Sequence, residues 1–126
     1  MGMLCAILFV ALAGSGCYFT QSAAVPMPTV LWSHHGSAPA QGLAVLLPGF
    51  GDAPADFQSA GIVDLIRART QFDAVGANAH YGYYRARTIL TRLSADVIAP
   101  ARKQGYRNFV LVGVSLGGMG ALQQRG

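Results

Sequence analysis

The feature that most constrains this chain is the alternation of short apolar runs with stretches of helical period. Leu43 to Leu47 is continuously apolar and stops at Pro48 and Gly49, and Phe109 to Val112 is likewise apolar and runs into Gly113. Phe72 to Ala77 is a third strand candidate between them. A strand without polar alternation must be covered on both faces, which is the situation of a strand inside a parallel sheet. Between the runs, Ile62, Leu65, Ile66 and Arg69 repeat at helical spacing in a helix expected to start at Asp52, with Asp52 as its cap and Pro54 in its first turn. Ile89, Leu90, Leu93 and Val97 place one apolar face on a helix from about Thr88 toward Gln104, which Pro100 should kink or end. Gly105 suits a left-handed C-terminal cap. Strands alternating with such helices require right-handed βαβ crossovers, so the expected fold class is α/β, an open and mostly parallel sheet with flanking helices. Thr29 to Trp32 is a candidate short first strand, followed by a loop through His34, His35, Gly36 and Pro39.

At 126 residues and 52% hydrophobic content the chain has the length and apolar content for one domain with a core. Nine Lys and Arg face five Asp and no Glu, for a net charge of +4. The arginines are scattered from Arg67 to Arg125 with no basic run and no aromatic interleaving, so the charge describes a solvated surface, and no nucleic-acid partner is expected. A dinucleotide fingerprint fits neither Gly49 and Gly51 nor Gly118 and Gly120, and no Gly-Lys-Ser/Thr follows, so no phosphate-bearing cofactor is expected.

Leu4 to Ala13 is an unbroken apolar run followed by Gly14, Ser15 and Gly16, which marks residues 1–16 as an export signal rather than part of the fold. About ten apolar residues are too few for a membrane span, which needs about twenty. Small residues directly before Cys17 resemble the lipobox of bacterial lipoproteins. The resemblance implies that Cys17 becomes the lipidated first residue of a mature protein anchored to a cell-envelope membrane. The alternatives are an ordinary secreted or periplasmic protein in which Cys17 is incidental, and a signal retained as an anchor. Cys5 lies inside the signal, so the mature chain keeps one cysteine and no internal disulfide is expected. Residues 17–28, with Pro26, Pro28 and small polar residues, are expected as a tether, and the domain is expected over residues 29–126.

The apolar run Phe109 to Val112 leads directly into Gly113, Val114, Ser115, Leu116 and Gly117, a G-x-S-x-G sequence at a strand-to-helix turn. Such a turn holds the serine in strained backbone angles, and side chains at Gly113 or Gly117 would strike the neighbouring turn; Gly118 and Gly120 would let the next helix pack closely. A glycine-rich turn without chemistry would have the same appearance. Here the motif resembles the nucleophile elbow of α/β-hydrolases, and Leu47, Pro48, Gly49, Phe50, Gly51 and Asp52 resemble the oxyanion loop of that family. The resemblance covers Leu43 to Leu122, about the first half of such a domain. It implies Ser115 as nucleophile, with the backbone N–H groups of Leu116 and Phe50 as the oxyanion hole. Both motifs follow strands, and the carboxyl ends of strands in an open sheet share one edge, so they should meet. Asp52 is expected as a helix cap rather than a catalytic group. The aromatic stretch His80 to Tyr84 lies on the same edge, as pocket lining or as ordinary packing.

The family's order is serine, acid, histidine, and no Asp, Glu or His follows Ser115. His34, His35 and His80 all precede it and are expected in loop or packing roles. The sequence is therefore expected to be a truncated or frame-shifted reading of a serine hydrolase, nearly inactive by itself, acting on a small-molecule acyl substrate when complete. The alternatives are a non-catalytic envelope lipoprotein with a hydrolase-like fold, or a fragment without function.

Overall fold

In a computed structural model of the chain, residues 21–124 are described; residues 1–20, with the expected export signal and Cys17, and the last two residues lie outside them. The described residues form an α/β fold around a four-stranded mixed sheet. Its strands are β1 (Thr29–Trp32), β2 (Gly42–Leu47), β3 (Phe72–Ala77) and β4 (Phe109–Gly113), in the order β1-β3-β2-β4. β2 is parallel to both β3 and β4, as the apolar runs require. β1 is antiparallel to β3, with Thr29 opposite Ala77 and Trp32 opposite Ala74, so the sheet is not purely parallel. The physical reason lies in β1 itself. It is mostly exposed, so it needs cover on neither face and joins an edge rather than the parallel interior.

β2 is buried at all six positions, and its side chains feed two cores on opposite faces of the sheet. Ala44, Leu46 and Ala74 pack with Phe57 and Val63 under α1 (Ala55–Ser59) and α2 (Ile62–Arg69). Leu43, Val45, Leu47, Val75 and Ala77 form the other core with Tyr83, Ile89, Leu93 and Val97. That face is covered by α3 (Tyr81–Arg85), by the rod formed from α4 (Ile89–Arg92), a π-helical stretch (Leu93–Ile98) and α5 (Ala99–Lys103), and by α6 (Leu116–Gln124).

Two helix expectations are corrected. Asp52 caps nothing: α1 begins after Pro54, and it is the Asp56 carboxylate that reaches back to accept from the Ala53 N–H at 2.7 Å. The helix is also broken in two at Ala60 and Gly61, because Gly61 takes a left-handed φ of 81° that restarts the chain as α2. Pro100 does not end its helix. The wider π turn just before it accommodates the ring and the missing N–H, and the rod continues to Lys103. Gly105, at φ 107°, closes it as expected.

Residues 21–28 have no regular secondary structure, yet they are fastened to the domain. The Tyr83 hydroxyl donates to the Ala24 carbonyl at 2.7 Å, the Met27 N–H donates to Asp96 Oδ2 at 2.9 Å, and the Asn78 N–H donates to the Pro28 carbonyl at 2.9 Å. Met27 itself is a core residue. Tyr83→Phe is expected to cost about 1 kcal/mol and to speed hydrogen exchange at the Met27 amide. Unchanged exchange there would show that Tyr83 does not hold this segment.

Candidate active site

The sheet order creates the site. From β2 the chain passes to β3 on one side and then crosses back to β4 on the other, so the loops leaving β2 and β4 diverge and open a crevice at their carboxyl ends. Leu47 and Gly113 are register partners at those ends, and the Val114 N–H adds one more bond to the Leu47 carbonyl at 3.2 Å. The next residue is Ser115, with φ at +53°. A positive φ costs a non-glycine residue on the order of 1–3 kcal/mol and persists only where the surroundings impose it. Here β4 ends at Gly113 and α6 starts at Leu116, so two residues must reverse the chain.

Glycine is required at this reversal for steric reasons. A Cβ on Gly113 would collide with the carbonyl of Gly117 and the N–H of Gly118, and a Cβ on Gly117 would collide with the carbonyls of Leu47 and Pro48. Gly117 thus lets α6 rest directly on the end of β2. Gly118 differs from expectation: a Cβ there would sit 3.6 Å from the Gly113 carbonyl, an ordinary contact. Gly120 does serve close packing, since its missing side chain leaves room for the Tyr84 hydroxyl.

The two motifs are brought together. A Cβ on Gly49 would lie 3.2 Å from the Val114 carbonyl and 3.7 Å from the Ser115 Cβ. Phe50 follows in the same loop, half exposed, with its ring edge-on to Tyr81 at 5.5 Å. Ser115 is exposed, and Leu116 opens α6, so its N–H is one of the donors that a helix start leaves without an intrahelical acceptor. A pocket of about 290 Å³ adjoins this corner, lined by Pro48, Gly49, Asp52, Phe57, Ile62 and Val114.

The aromatic stretch divides by role. Tyr83 is fully buried and Tyr84 partly so, with burial raising the pKa of both; the Tyr84 hydroxyl has no hydrogen-bond partner among the described residues. Only Tyr81 presents its ring to solvent beside the site. His80 is committed to structure: its Nδ1 accepts from the Gly82 N–H at 3.0 Å and its Nε2 lies 3.1 Å from the Ser22 carbonyl, which assigns the proton to Nε2. Burial lowers its pKa, partly offset by that bond to Ser22.

His34 lies at the opposite edge of the sheet from Ser115, in a cluster the sequence did not single out. Its Nδ1 is 2.9 Å from Asp73 Oδ1, its backbone N–H donates to the same oxygen at 2.8 Å, and the Tyr106 hydroxyl donates to Asp73 Oδ2 at 2.5 Å. Burial raises the Asp73 pKa, but the bonds from Tyr106 and His34 outweigh it and leave the carboxyl below its ordinary value. Burial and the neighbouring carboxylate push Tyr106 up to about 12. A lone Asp inside an apolar strand was the available signal, because such a group must find partners. Among the described residues no histidine faces Ser115, and no cluster of His, Cys, Asp or Glu could hold a metal ion. No helix among them is long and apolar enough to cross a membrane. Comparison with known proteins identifies no matching family model, curated protein or solved structure.

Proposed function

We propose that the chain carries the nucleophile and oxyanion side of an envelope-anchored serine hydrolase of the α/β-hydrolase type, which cleaves carboxylic esters or related acyl compounds through an acyl-enzyme. The observation that carries this reading is Ser115 itself: a serine held at positive φ, exposed at the switch point of the sheet, against the loop that follows β2. Positive φ alone does not mark chemistry, since Arg87 shares it at 59°; what supports the reading is that at Ser115 it coincides with an exposed hydroxyl residue at the end of β4 beside the loop after β2.

In the reaction Ser115 Oγ attacks the substrate carbonyl while a histidine takes its proton, and the carbonyl oxygen becomes an oxyanion. The N–H groups of Leu116 and Phe50 are assigned to that oxyanion, each worth roughly 10²- to 10³-fold in rate. Collapse of the intermediate expels the alcohol and leaves the acyl group on Ser115, from which water releases the acid. The proton acceptor comes from outside the described residues, since His80 is engaged and His34 lies at the far edge. That same observation favours a second reading, a binding protein that keeps the fold without the chemistry.

Fluorophosphonate labelling of the full-length protein in its native cells separates the two. Labelling is expected in the parent and in Ser59→Ala, and to be lost in Ser115→Ala. Equal labelling of Ser115→Ala and the parent overturns the hydrolase reading.

A further inference from the structure

The segment that joins the domain to its export signal enters the fold at the edge that carries Ser115. Because β1 is antiparallel to β3, Thr29 sits beside Ala77, at the carboxyl end of the parallel strands. The residues before it are pinned to the same end, where His80 Nε2 bonds to the Ser22 carbonyl, and Gln21 shares a hollow with Gly51, Asp52 and Ala53 of the loop after β2. Gly49 of that loop abuts Ser115. Cys17 precedes Gln21 by four peptide steps, a reach of no more than about 14 Å even when fully extended.

Such a tether leaves little freedom. A lipid on Cys17 sits in the bilayer, and a domain fastened from Gln21 onward can turn only the face around Gln21 toward that surface. The two ends of the sheet differ in the way this orientation requires. Around the carboxyl edge, Phe50, Tyr81, Val114 and Met119 are exposed, and the charges of Asp52 and Asp56 are matched by Arg85 and Arg87. Around the amino edge lie Arg67, Arg69, Arg102, Lys103 and Arg107, with Asp73 as a buried carboxylate and Val110 exposed toward that end, so positive charge prevails there. Exposed aromatic and apolar side chains without net charge are stabilised at a lipid interface, whereas five cations keep their hydration in bulk water.

We propose that the protein lies with the carboxyl edge of its sheet against the lipid bilayer, so that Ser115 meets acyl esters resident in the membrane. The proposal rests on the envelope-anchored reading above. It names the substrate class of that site: lipid-like esters that reach the crevice from the bilayer side, with Phe50 and Tyr81 at its mouth.

The test uses the full, Cys17-acylated chain in phosphatidylcholine vesicles whose acyl chains carry bromine, a contact quencher. A bimane label is placed on Met119→Cys at the carboxyl edge or on Lys103→Cys at the amino edge. Bromolipid quenching is expected to be several-fold stronger at position 119 than at position 103. Equal quenching, or stronger quenching at position 103 as attraction of the basic edge would produce, overturns the orientation. Palmitate incorporation is read in parallel on the parent and Cys17→Ala. Equal incorporation in both defeats the anchor and the orientation together, whereas Cys17-dependent incorporation without preferential quenching at position 119 defeats the orientation alone. Neither outcome touches the fluorophosphonate result, which reports on Ser115 separately.

Discussion

Gly117→Ala is expected to destabilise the fold by about 3 kcal/mol or more, at the upper end of what overpacking costs. The added methyl collides with the carbonyls of Leu47 and Pro48, which are backbone and have no rotamer by which to yield. Relief requires α6 to move off the end of β2, and Ser115 moves with it. Two neighbouring substitutions make the prediction specific. Gly118→Ala meets only an ordinary contact and places a better helix former in α6, so it is expected to be neutral or stabilising by up to about 1 kcal/mol. Gly105→Ala meets no atom within 4 Å but must adopt a φ of 107°, so it pays backbone strain alone, about 1–2 kcal/mol. Urea midpoints at unchanged slope give all three values. If Gly117→Ala proves no worse than Gly118→Ala, the close seating of the elbow on β2 is wrong.

Asp73→Ala is expected to be comparably severe, about 3 kcal/mol, because it leaves the Tyr106 hydroxyl and the His34 N–H without their acceptor in a largely buried site. The cluster joins the end of β1, the start of β3 and the approach to β4, so its loss loosens three strands at once. It also shapes the response to pH. The Tyr106 pKa is raised in the folded state, to about 12 from an ordinary 10, so the stability it contributes is complete below pH 10 and is lost as pH rises toward 12. The amount is on the order of 2 kcal/mol. His80 and Asp73 act in the opposite sense, since both pKa values are lowered by folding. Stability falls first as pH drops below 6.5, where the unfolded chain protonates His80, and again below 3.8, where it protonates Asp73. Tyr106→Phe is expected to reduce the alkaline limb to the share of the buried Tyr83 and the partly buried Tyr84, and to keep the His80 step. An alkaline limb unchanged in Tyr106→Phe would remove the hydroxyl from this role.

Much of this architecture was legible in the residues. β3 spans Phe72–Ala77 as expected, and β2 and β4 lie over the apolar runs assigned to them, each with one glycine added at an end. Strand β1 was found because Thr-Val-Leu-Trp is a β-forming run before a loop, and the turn at Ser115 because only glycine tolerates a strand and a helix that close. Helix detail was less legible. Asp52 is a good capping residue in sequence, but the helix begins only after Pro54 and carries no side-chain cap, a start set by where the loop after β2 must lie against β4. Pro100 read as a kink or a helix end because its clash is local, whereas the π turn that accommodates it lies where Leu93, Val97 and Ile98 pack into the core.

What the sequence determined by itself is the part governed by short-range chemistry: an α/β alternation, the strands, and a glycine-flanked serine at a strand-to-helix turn. The tertiary structure decided which of those pieces meet. It set β1 antiparallel, because an exposed strand finds its place at an edge, and it moved β4 to the far side of β2 from β3, which opens the crevice beneath Ser115. It also gave His34, Asp73 and Tyr106 a common site at the other end of the sheet, although they are far apart in the chain. Proximity of this kind depends on strand order and direction, which no local run of residues encodes, and the burial of a carboxylate in a β-strand becomes favourable only once its partners arrive from elsewhere.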